Sequence, residues 1–496
     1  MLTLFIALFC NSQVETNLQY PETRREVVVN TYHGVEVSDP YRWLEDDVRK
    51  NEEVAAWVEE ENKVTRSYLD TIEVLPTIKS TLTTVWNYPK HGSPFHKGDR
   101  WFQSRNTGLQ NHSVIYTGDS PENINEVLLD PNTLSVDGTR ALSMYSPSPN
   151  GTYLTWGVSD AGSDWSVWYS KNLQTGEDLQ EVLRDIKNAL PSWLPDESGF
   201  YYSRYPNSDS DGHLEITDGS ELWFHKIGTM QSKDTRIWSD TEHPDRFYGA
   251  SVTKDGGWLV VSVNKGTSSN NALLIKGPND TKLRWLLTEF DASYKLIGGI
   301  GNKLWFRTDD GAPKGKIVSA TIEKEKVTWK EIIPEQNNIL RSADLVGGKI
   351  TATWLEDAST KATVHSLDGK ELYAVTMPGI GTAGGFAGQN DDTSVYWSYS
   401  SYNYPPSIFT LDLNSGDTSL FWKSKFPVDL SELVVQRTFV VSSDGSKVPL
   451  FIVSHKDTKL DGNNPVLLYG YGGFDIPILP RFSASRVVWM KMGGVY

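Results

Sequence analysis

Three features of the sequence predict a seven-bladed β-propeller that gives way to the opening of an α/β sheet. The middle of the chain repeats one short pattern seven times, at intervals of about 45 to 57 residues. Aromatic residues and turn formers are abundant: 18 Trp, 40 Gly and 24 Pro, with 11% Phe, Trp and Tyr. Near its end the chain carries a near-continuous apolar run, Pro465 to Tyr469, leading into a glycine-rich turn.

At 496 residues the chain is too long for one ordinary core, so two or more domains are expected. Charged residues at 22% and hydrophobic ones at 38% describe a folded, soluble protein. A net charge of −16 argues against nucleic acid or an anionic membrane as partner, because both need basic surface. The one cysteine, Cys10, excludes an intrachain disulfide and fits a reducing compartment, so a cytoplasmic location is expected. Leu2 to Cys10 form an apolar run too short to span a bilayer. Without a preceding Lys or Arg it makes a poor signal peptide, and secretion is the lesser expectation. Residues 1–19 are therefore set apart as an extension of uncertain status.

From about Asp46 to Thr71 the pattern is helical. Val54, Trp57, Val58, Val64 and Tyr68 fall near one face, and Pro76 is expected to limit the helix. Acidic runs such as Glu59-Glu60-Glu61 read as solvated helix surface. Beyond about Lys79 the texture becomes turn, apolar-aromatic strand, polar turn, strand. Its seven copies run through Gly98-Asp99-Arg100-Trp101-Phe102, Asn150-Gly151-Thr152-Tyr153-Leu154 and Ser198-Gly199-Phe200-Tyr201-Tyr202, then Asp255-Gly256-Gly257-Trp258-Leu259, Gly301-Asn302-Lys303-Leu304-Trp305, Gly347-Gly348-Lys349-Ile350 and Asp392-Thr393-Ser394-Val395-Tyr396. A small sheet of this length cannot bury both faces alone, so neighbouring copies must stack and the ring must close. The uneven period argues against a strict WD40 array, and an irregular pair of β-sandwiches is the competing architecture. Near Leu430 the texture changes again. Gln436 to Val441, a Ser443-Asp444-Gly445-Ser446 turn and Val448 to Val453 read as a hairpin. Pro465 to Tyr469 suits a strand buried on both faces, as in an α/β sheet.

Three stretches together resemble the prolyl oligopeptidase family. The first is Tyr20-Pro21-Glu22-Thr23-Arg24-Arg25, followed by Asp39-Pro40-Tyr41-Arg42-Trp43-Leu44-Glu45-Asp46. The second is the β texture, with Gly162-Ser163-Asp164-Trp165 in its second unit. The third runs from Val440 through Lys459-Leu460-Asp461-Gly462 and Tyr469-Gly470-Tyr471-Gly472-Gly473-Phe474 to Gly493-Gly494-Val495-Tyr496. The resemblance implies a seven-bladed propeller inserted in an α/β-hydrolase domain, of which only the start of the sheet is present. It implies an N-terminal helical segment of the hydrolase domain at 20–75, a propeller at 76–428 and an incomplete catalytic domain at 429–496. The implied activity is cleavage of short peptides after proline by a Ser-His-Asp mechanism, in a monomer without cofactor. The implied partners are short proline-containing peptides.

By the same resemblance, Tyr471 donates its hydroxyl to the oxyanion of the tetrahedral intermediate. An O–H fixed toward developing charge suits that role. Gly470, Gly472 and Gly473 let the backbone turn beside it. Phe474 matches a position that packs near the proline pocket; a core aromatic after a turn is the alternative. On the propeller side, Asn264 and Thr267 stand where family members usually have an Arg and a Cys, with Lys265 as a substitute cation. Ser170 stands where an aromatic is usual. All four are candidate substrate contacts, and ordinary strand-end residues are the alternative. None of the nine His has a metal spacing, and His33 and His243 read as turn residues. The Gly-x-Ser-x-Gly elbow that carries a hydrolase nucleophile occurs nowhere in the 496 residues. The sequence is therefore read as truncated, and a polypeptide of these residues as inactive alone. The alternative is a non-catalytic propeller or truncated isoform kept for binding, which should finish near Leu430 rather than part-way into a second sheet.

Overall fold

The computed structural model describes residues 18–206, 218–324, 326–474 and 476–496. Leu2 to Cys10, on which the secretion reading turned, lie outside them. The described residues divide into two units, one ending at Val85 and one beginning at Trp86. No helix among them is long and apolar enough to cross a membrane.

In the first unit, helix α1 (Glu52–Leu69) begins where Asn51 accepts hydrogen bonds from the Glu53 and Val54 amides, a side-chain cap for otherwise unpaired donors. Val54 is buried, Trp57, Val58 and Val64 are half-buried, and Tyr68 is exposed. The N-terminal motif docks on this helix. Trp43 Nε1 donates to the Arg24 carbonyl at 2.9 Å, Trp57 Nε1 to Thr23 Oγ1 at 3.1 Å, and Arg24 pairs with Glu53 at 2.6 Å. Val29–Tyr32 and Val35–Ser38 form a hairpin whose turn places both His33 and Gly34 at positive φ, so His33 is a turn residue as expected. One expectation is corrected. Pro76 does not close a helix but opens a second one, α2 (Leu75–Trp86), in whose first turn a missing N–H costs nothing. The strands of the blades accordingly start at Lys90, later than the propeller start placed at 76.

The second unit contains seven consecutive antiparallel sheets, each built from neighbouring strands in sequence order. Their innermost strands are Lys90–His91 with Phe95–Lys97, Arg140–Pro147, Ser192–Trp193, Arg246–Val252, Tyr294–Ile300, Ile339–Val346 and Thr382–Gly384. Every one of the seven sequence copies marks the turn into the second strand of its blade. That strand has a neighbour on both edges and a blade on both faces, which is why it reads as an aromatic, β-branched run. Between consecutive blades lie apolar clusters, such as Trp168, Phe200 and Tyr202 between blades two and three and Trp305, Leu340 and Trp354 between five and six. The gap between blades seven and one is closed differently. His91 stacks on Trp422 at 4.3 Å, Trp101 meets Tyr396 edge-on at 5.6 Å, and Ser424 Oγ donates to the Pro89 carbonyl at 3.0 Å.

Candidate active site

After the last blade the chain forms the predicted hairpin, Leu433–Val441 with Lys447–His455, turned by Ser442 to Ser446. Tyr496 extends it: the amides of Val453 and Tyr496 each donate to the other's carbonyl, at 2.8 and 2.9 Å. Val495 in turn bridges Val466 in parallel, with Val495 N to Pro465 O and Leu467 N to Val495 O both 2.9 Å. Helix α3 (Ala484–Lys491) lies in the connection between those two parallel segments. This is a strand–helix–strand crossover, the unit from which α/β sheets are built. α3 buries Val487 and Met490 against Leu433, Val453 and Tyr402. Gly494 must be glycine, since a Cβ there would lie 2.3 Å from the Trp489 indole.

The apolar run itself departs from expectation. Val466, Leu467, Leu468 and Tyr469 are 63, 47, 80 and 52% exposed rather than buried on both faces. Such a strand is buried by partners on both edges and layers on both faces. Among the described residues Val466 has one bridge partner, Val495.

The run delivers the chain to the Tyr471 loop. Gly472 has φ +81°, and Phe474 has φ +53°, a left-handed conformation uncommon for a bulky residue. Cβ atoms at Gly470 and Gly473 would meet nothing within 4 Å. Tyr471 is 52% exposed and Phe474 74%, so both side chains stand free at the surface. Among the described residues the Tyr471 hydroxyl makes no hydrogen bond.

The four propeller candidates fare unequally. Ser170 is corrected. It is fully buried, and its hydroxyl shares a 3.0 Å hydrogen bond with Thr155, which leaves no surface for a substrate. It sits late in the third strand of blade two, at a position that faces the blade interior. Asn264 is the last residue but one of the second strand of blade four and is half-buried, with its amide folded back on the Ser262 carbonyl at 3.3 Å. Lys265 and Thr267 follow it, both exposed, and Lys265 lies 3.4 Å from Asp245.

Strand direction shows which candidates share an end of the propeller. Each innermost strand starts at one end, here called upper, and the second strand returns to it. Asn264, Lys265 and Thr267 close a second strand and are therefore upper. The segment bearing Tyr471 attaches at the same end. Thr382 Oγ1, at the start of an innermost strand, donates to the Pro480 carbonyl at 2.8 Å, and Arg437 Nη1 donates to the Asp357 carbonyl at 3.1 Å in the turn that follows a second strand. Asn264, Lys265 and Thr267 thus lie at the end of the propeller to which the segment bearing Tyr471 and Phe474 is tied through Pro480 and Arg437, and Ser170 does not.

The lower end holds residues that sequence reasoning missed. Lys254 of blade four donates from Nζ to Asp344 Oδ1 at 3.1 Å and Leu345 O at 2.7 Å in blade six, and to Gly388 O at 2.5 Å, just before the second strand of blade seven. A side chain that skips blade five to reach six and seven crosses near the ring axis. Burial raises the Asp344 carboxyl against the pull of Lys254, while burial and then Lys254 lower the neighbouring Lys97. Such long-range pairs leave no local signature in sequence. Among the described residues, Glu432, His455 and Asp457 bring possible metal-ligating atoms within 4.8 Å of one another. Lys456 Nζ, 2.8 Å from Glu432, already supplies a cation there.

Comparison with known proteins agrees with this architecture. Residues 20–424 match the family described as prolyl oligopeptidase, N-terminal beta-propeller domain. The prolyl endopeptidase of Elizabethkingia meningoseptica is 38% identical over 100% of this chain and 70% of its own length. Prolyl oligopeptidase A of Amanita bisporigera is 32% identical over 99% of this chain and 70% of its own. A solved structure from work on two prolyl endopeptidases superposes with a TM-score of 0.89 at 32% identity, covering 96% of this chain and 70% of that one. Prolyl oligopeptidase B of Galerina marginata, bound to a 35-residue hydrolysis and macrocyclization substrate, gives a TM-score of 0.88 at 28% identity, over 96% of this chain and 71% of that one. The match runs through the N-terminal motif, all seven blades and the Tyr471 segment, and on it the chain belongs to the prolyl oligopeptidase family.

Proposed function

We propose that this chain supplies the propeller cover and the oxyanion-side loop of a serine peptidase that cleaves short peptides after proline, with Tyr471 as oxyanion donor. The observation that carries the reading is that the segment bearing the Tyr471 loop is tied to the upper end of the propeller through Pro480 and Arg437, and forms a strand–helix–strand crossover that begins an α/β sheet. In this role Phe474 packs against the substrate near the proline, and Lys265 and Thr267 meet it from the propeller rim. Asn264 is the least available of these, because its amide is already engaged.

The 496 residues include no Gly-x-Ser-x-Gly segment, and without a nucleophile no acyl-enzyme forms. A polypeptide of these residues is expected not to turn over a Gly-Pro reporter peptide. The test is a chimera in which residues 1–496 are joined to the remaining part of the Elizabethkingia relative. It should hydrolyse the reporter, and Tyr471→Phe should lower kcat about 100- to 1000-fold, as loss of one oxyanion donor does. A folded, active chimera indifferent to Tyr471→Phe would remove Tyr471 from the mechanism.

A further inference from the structure

The upper end of blades five and six carries three cations that, among the described residues, have no carboxylate within ion-pair distance. Lys295, second in the innermost strand of blade five, is the direct cross-strand partner of Arg307. Like charges opposite one another on a sheet repel. Arg341, third in the innermost strand of blade six, brings another. The Arg307 guanidinium is fixed: its Nη1 donates to the Leu340 and Arg341 carbonyls, both at 2.9 Å. Burial, and then Arg341, hold Arg307 below its ordinary pKa, and burial followed by Arg307 and Arg341 does the same to Lys295. Among the described residues none of the three lies within ion-pair distance of a carboxylate. The acid that attracts Arg307 and Lys295 from nearby is Asp309, and its Oδ1 accepts the Ser293 amide at 2.7 Å. In a chain with 63 acidic and 47 basic residues, three clustered cations without a carboxylate at ion-pair distance among the described residues are out of balance with their surroundings. Charges taken out of water are ordinarily paired.

The location gives this imbalance a use. Lys295 and Arg341 lie near the start of their innermost strands, and Arg307 near the end of its second strand. All three are therefore upper, at the end where Thr382 and Arg437 hold the segment that bears Tyr471. We propose that Lys295, Arg307 and Arg341 form an anion subsite at the mouth of the propeller that receives a peptide carboxylate, from either an acidic side chain or a free C-terminus. Arg307 offers a preset guanidinium fork, and the exposed Lys295 and Arg341 close on the anion from either side. The peptide as source of the carboxylate rests on the peptidase reading; binding of the anion does not.

The experiment uses the 496-residue polypeptide and three fluorescein-labelled Gly-Ser peptides, followed by anisotropy. One carries three Glu and an amidated end, one three Gln and an amidated end, and one three Gln and a free C-terminus. The expected result is binding of the Glu peptide, the free-end peptide, or both, about tenfold tighter than the amidated Gln peptide, with the advantage fading as salt rises. Whichever carboxylate is preferred identifies the source. Lys295→Gln with Arg341→Gln should abolish the advantage with far-UV circular dichroism and melting unchanged; Arg307, which ties backbone carbonyls, is left intact. Lys171→Gln, at a cation already paired with Asp178 in blade two, should leave it intact. Equal binding of all three peptides, or an advantage that survives the double substitution, overturns the subsite. A neutral amidated peptide containing proline reports separately on the peptidase reading. Its failure to bind counts against that reading alone, and its binding without any carboxylate preference counts against the subsite alone.

Discussion

His96 Nε2 lies 2.8 Å from Asp392 Oδ1, joining the first blade to the last across 296 residues of chain. The other inter-blade gaps described above are filled by apolar clusters, whereas this one depends on a polar contact and ring stacking. Its hydrogen bond to the Asp392 carboxylate raises the His96 pKa above its ordinary value, against the opposing effect of burial. Asp392 is lowered despite its own burial, with His96 the largest of the groups that favour its charged form. The two signs define a window. The His96 contribution is full below about pH 6.5 and fades as pH rises through the raised value. The Asp392 contribution is present above the ordinary carboxylate range and fades as pH falls through the lowered value. His96→Gln should therefore cost about 1–2 kcal/mol near pH 5.5 and less at pH 9, read from urea unfolding. An equal cost at both pH values would show that the pair does not titrate as a closure of the ring.

A second histidine, this one buried, behaves as a staple between blades two and three. His225 Nδ1 is 2.7 Å from Asp234 Oδ1, and its Nε2 is 3.7 Å from Glu181 Oε1, with all three side chains almost wholly buried. Burial pulls the imidazole down, but Asp234 and Glu181 outweigh it and lift its pKa to about 9. Its stabilising contribution is thus full below about pH 6.5 and is lost as pH climbs through about 9. Asp234→Asn strands a buried imidazolium and should cost about 3–5 kcal/mol at neutral pH. Glu181 makes no hydrogen bond through either oxygen and stands farther from the ring, so Glu181→Met should be milder than Asp234→Asn. Unfolding midpoints of the two variants at pH 7 and pH 10 check both statements. A Glu181→Met protein as damaged as Asp234→Asn would contradict this account.

These two histidines also mark the limit of what the sequence reveals. The seven turn-and-strand copies are legible because each encodes a local event, a tight turn into a strand packed on both faces. The hairpin at Leu433–His455 and the turn at His33 are legible for the same reason. What is lost is whatever depends on distant partners. Lys254 crossing to Asp344, or His96 meeting Asp392, has no periodicity to read. Pro76 was ambiguous because proline both ends one helix and begins the next. Ser170 was misplaced because an alternating strand gives two faces, and only the fold says which is inside. Of the candidate site, Tyr471 and Phe474 were legible as a motif in a glycine-rich turn. The cations at Lys295, Arg307 and Arg341 come from different strands and two blades, and were not.

The crossover that starts the α/β sheet rests on one glycine. A Cβ at Gly494 would meet the Trp489 indole at 2.3 Å, and Trp489 Nε1 donates to the Val495 carbonyl at 3.0 Å. Gly494→Ala must push the indole away or break that bond, and it disturbs the Val453–Tyr496 pairing next to it. The expected cost is about 1–3 kcal/mol, accompanied by a red-shifted tryptophan emission. The blades are remote from this change and should keep their far-UV spectrum. Unaltered emission and stability would mean that α3 is not held in this position.

Phe474 separates a structural role from a functional one. Its φ of +53° costs on the order of 1 kcal/mol for a side chain that is bulky at Cβ, and glycine removes that cost. Phe474 is 74% exposed, so little packing offsets the strain among the described residues. Phe474→Gly should therefore leave the 496-residue polypeptide equally stable or raise its stability by up to about 1 kcal/mol, since the flexibility of glycine in the unfolded chain takes back part of the gain. In the chimera the same substitution should raise KM for the Gly-Pro reporter with little effect on kcat, because the ring is assigned to binding and not to the reacting atoms. A structural role would give the reverse pattern: lost stability in the short chain and no selective rise in KM. Phe474→Leu, which keeps apolar bulk along with the strained backbone, should recover part of the KM and none of the stability.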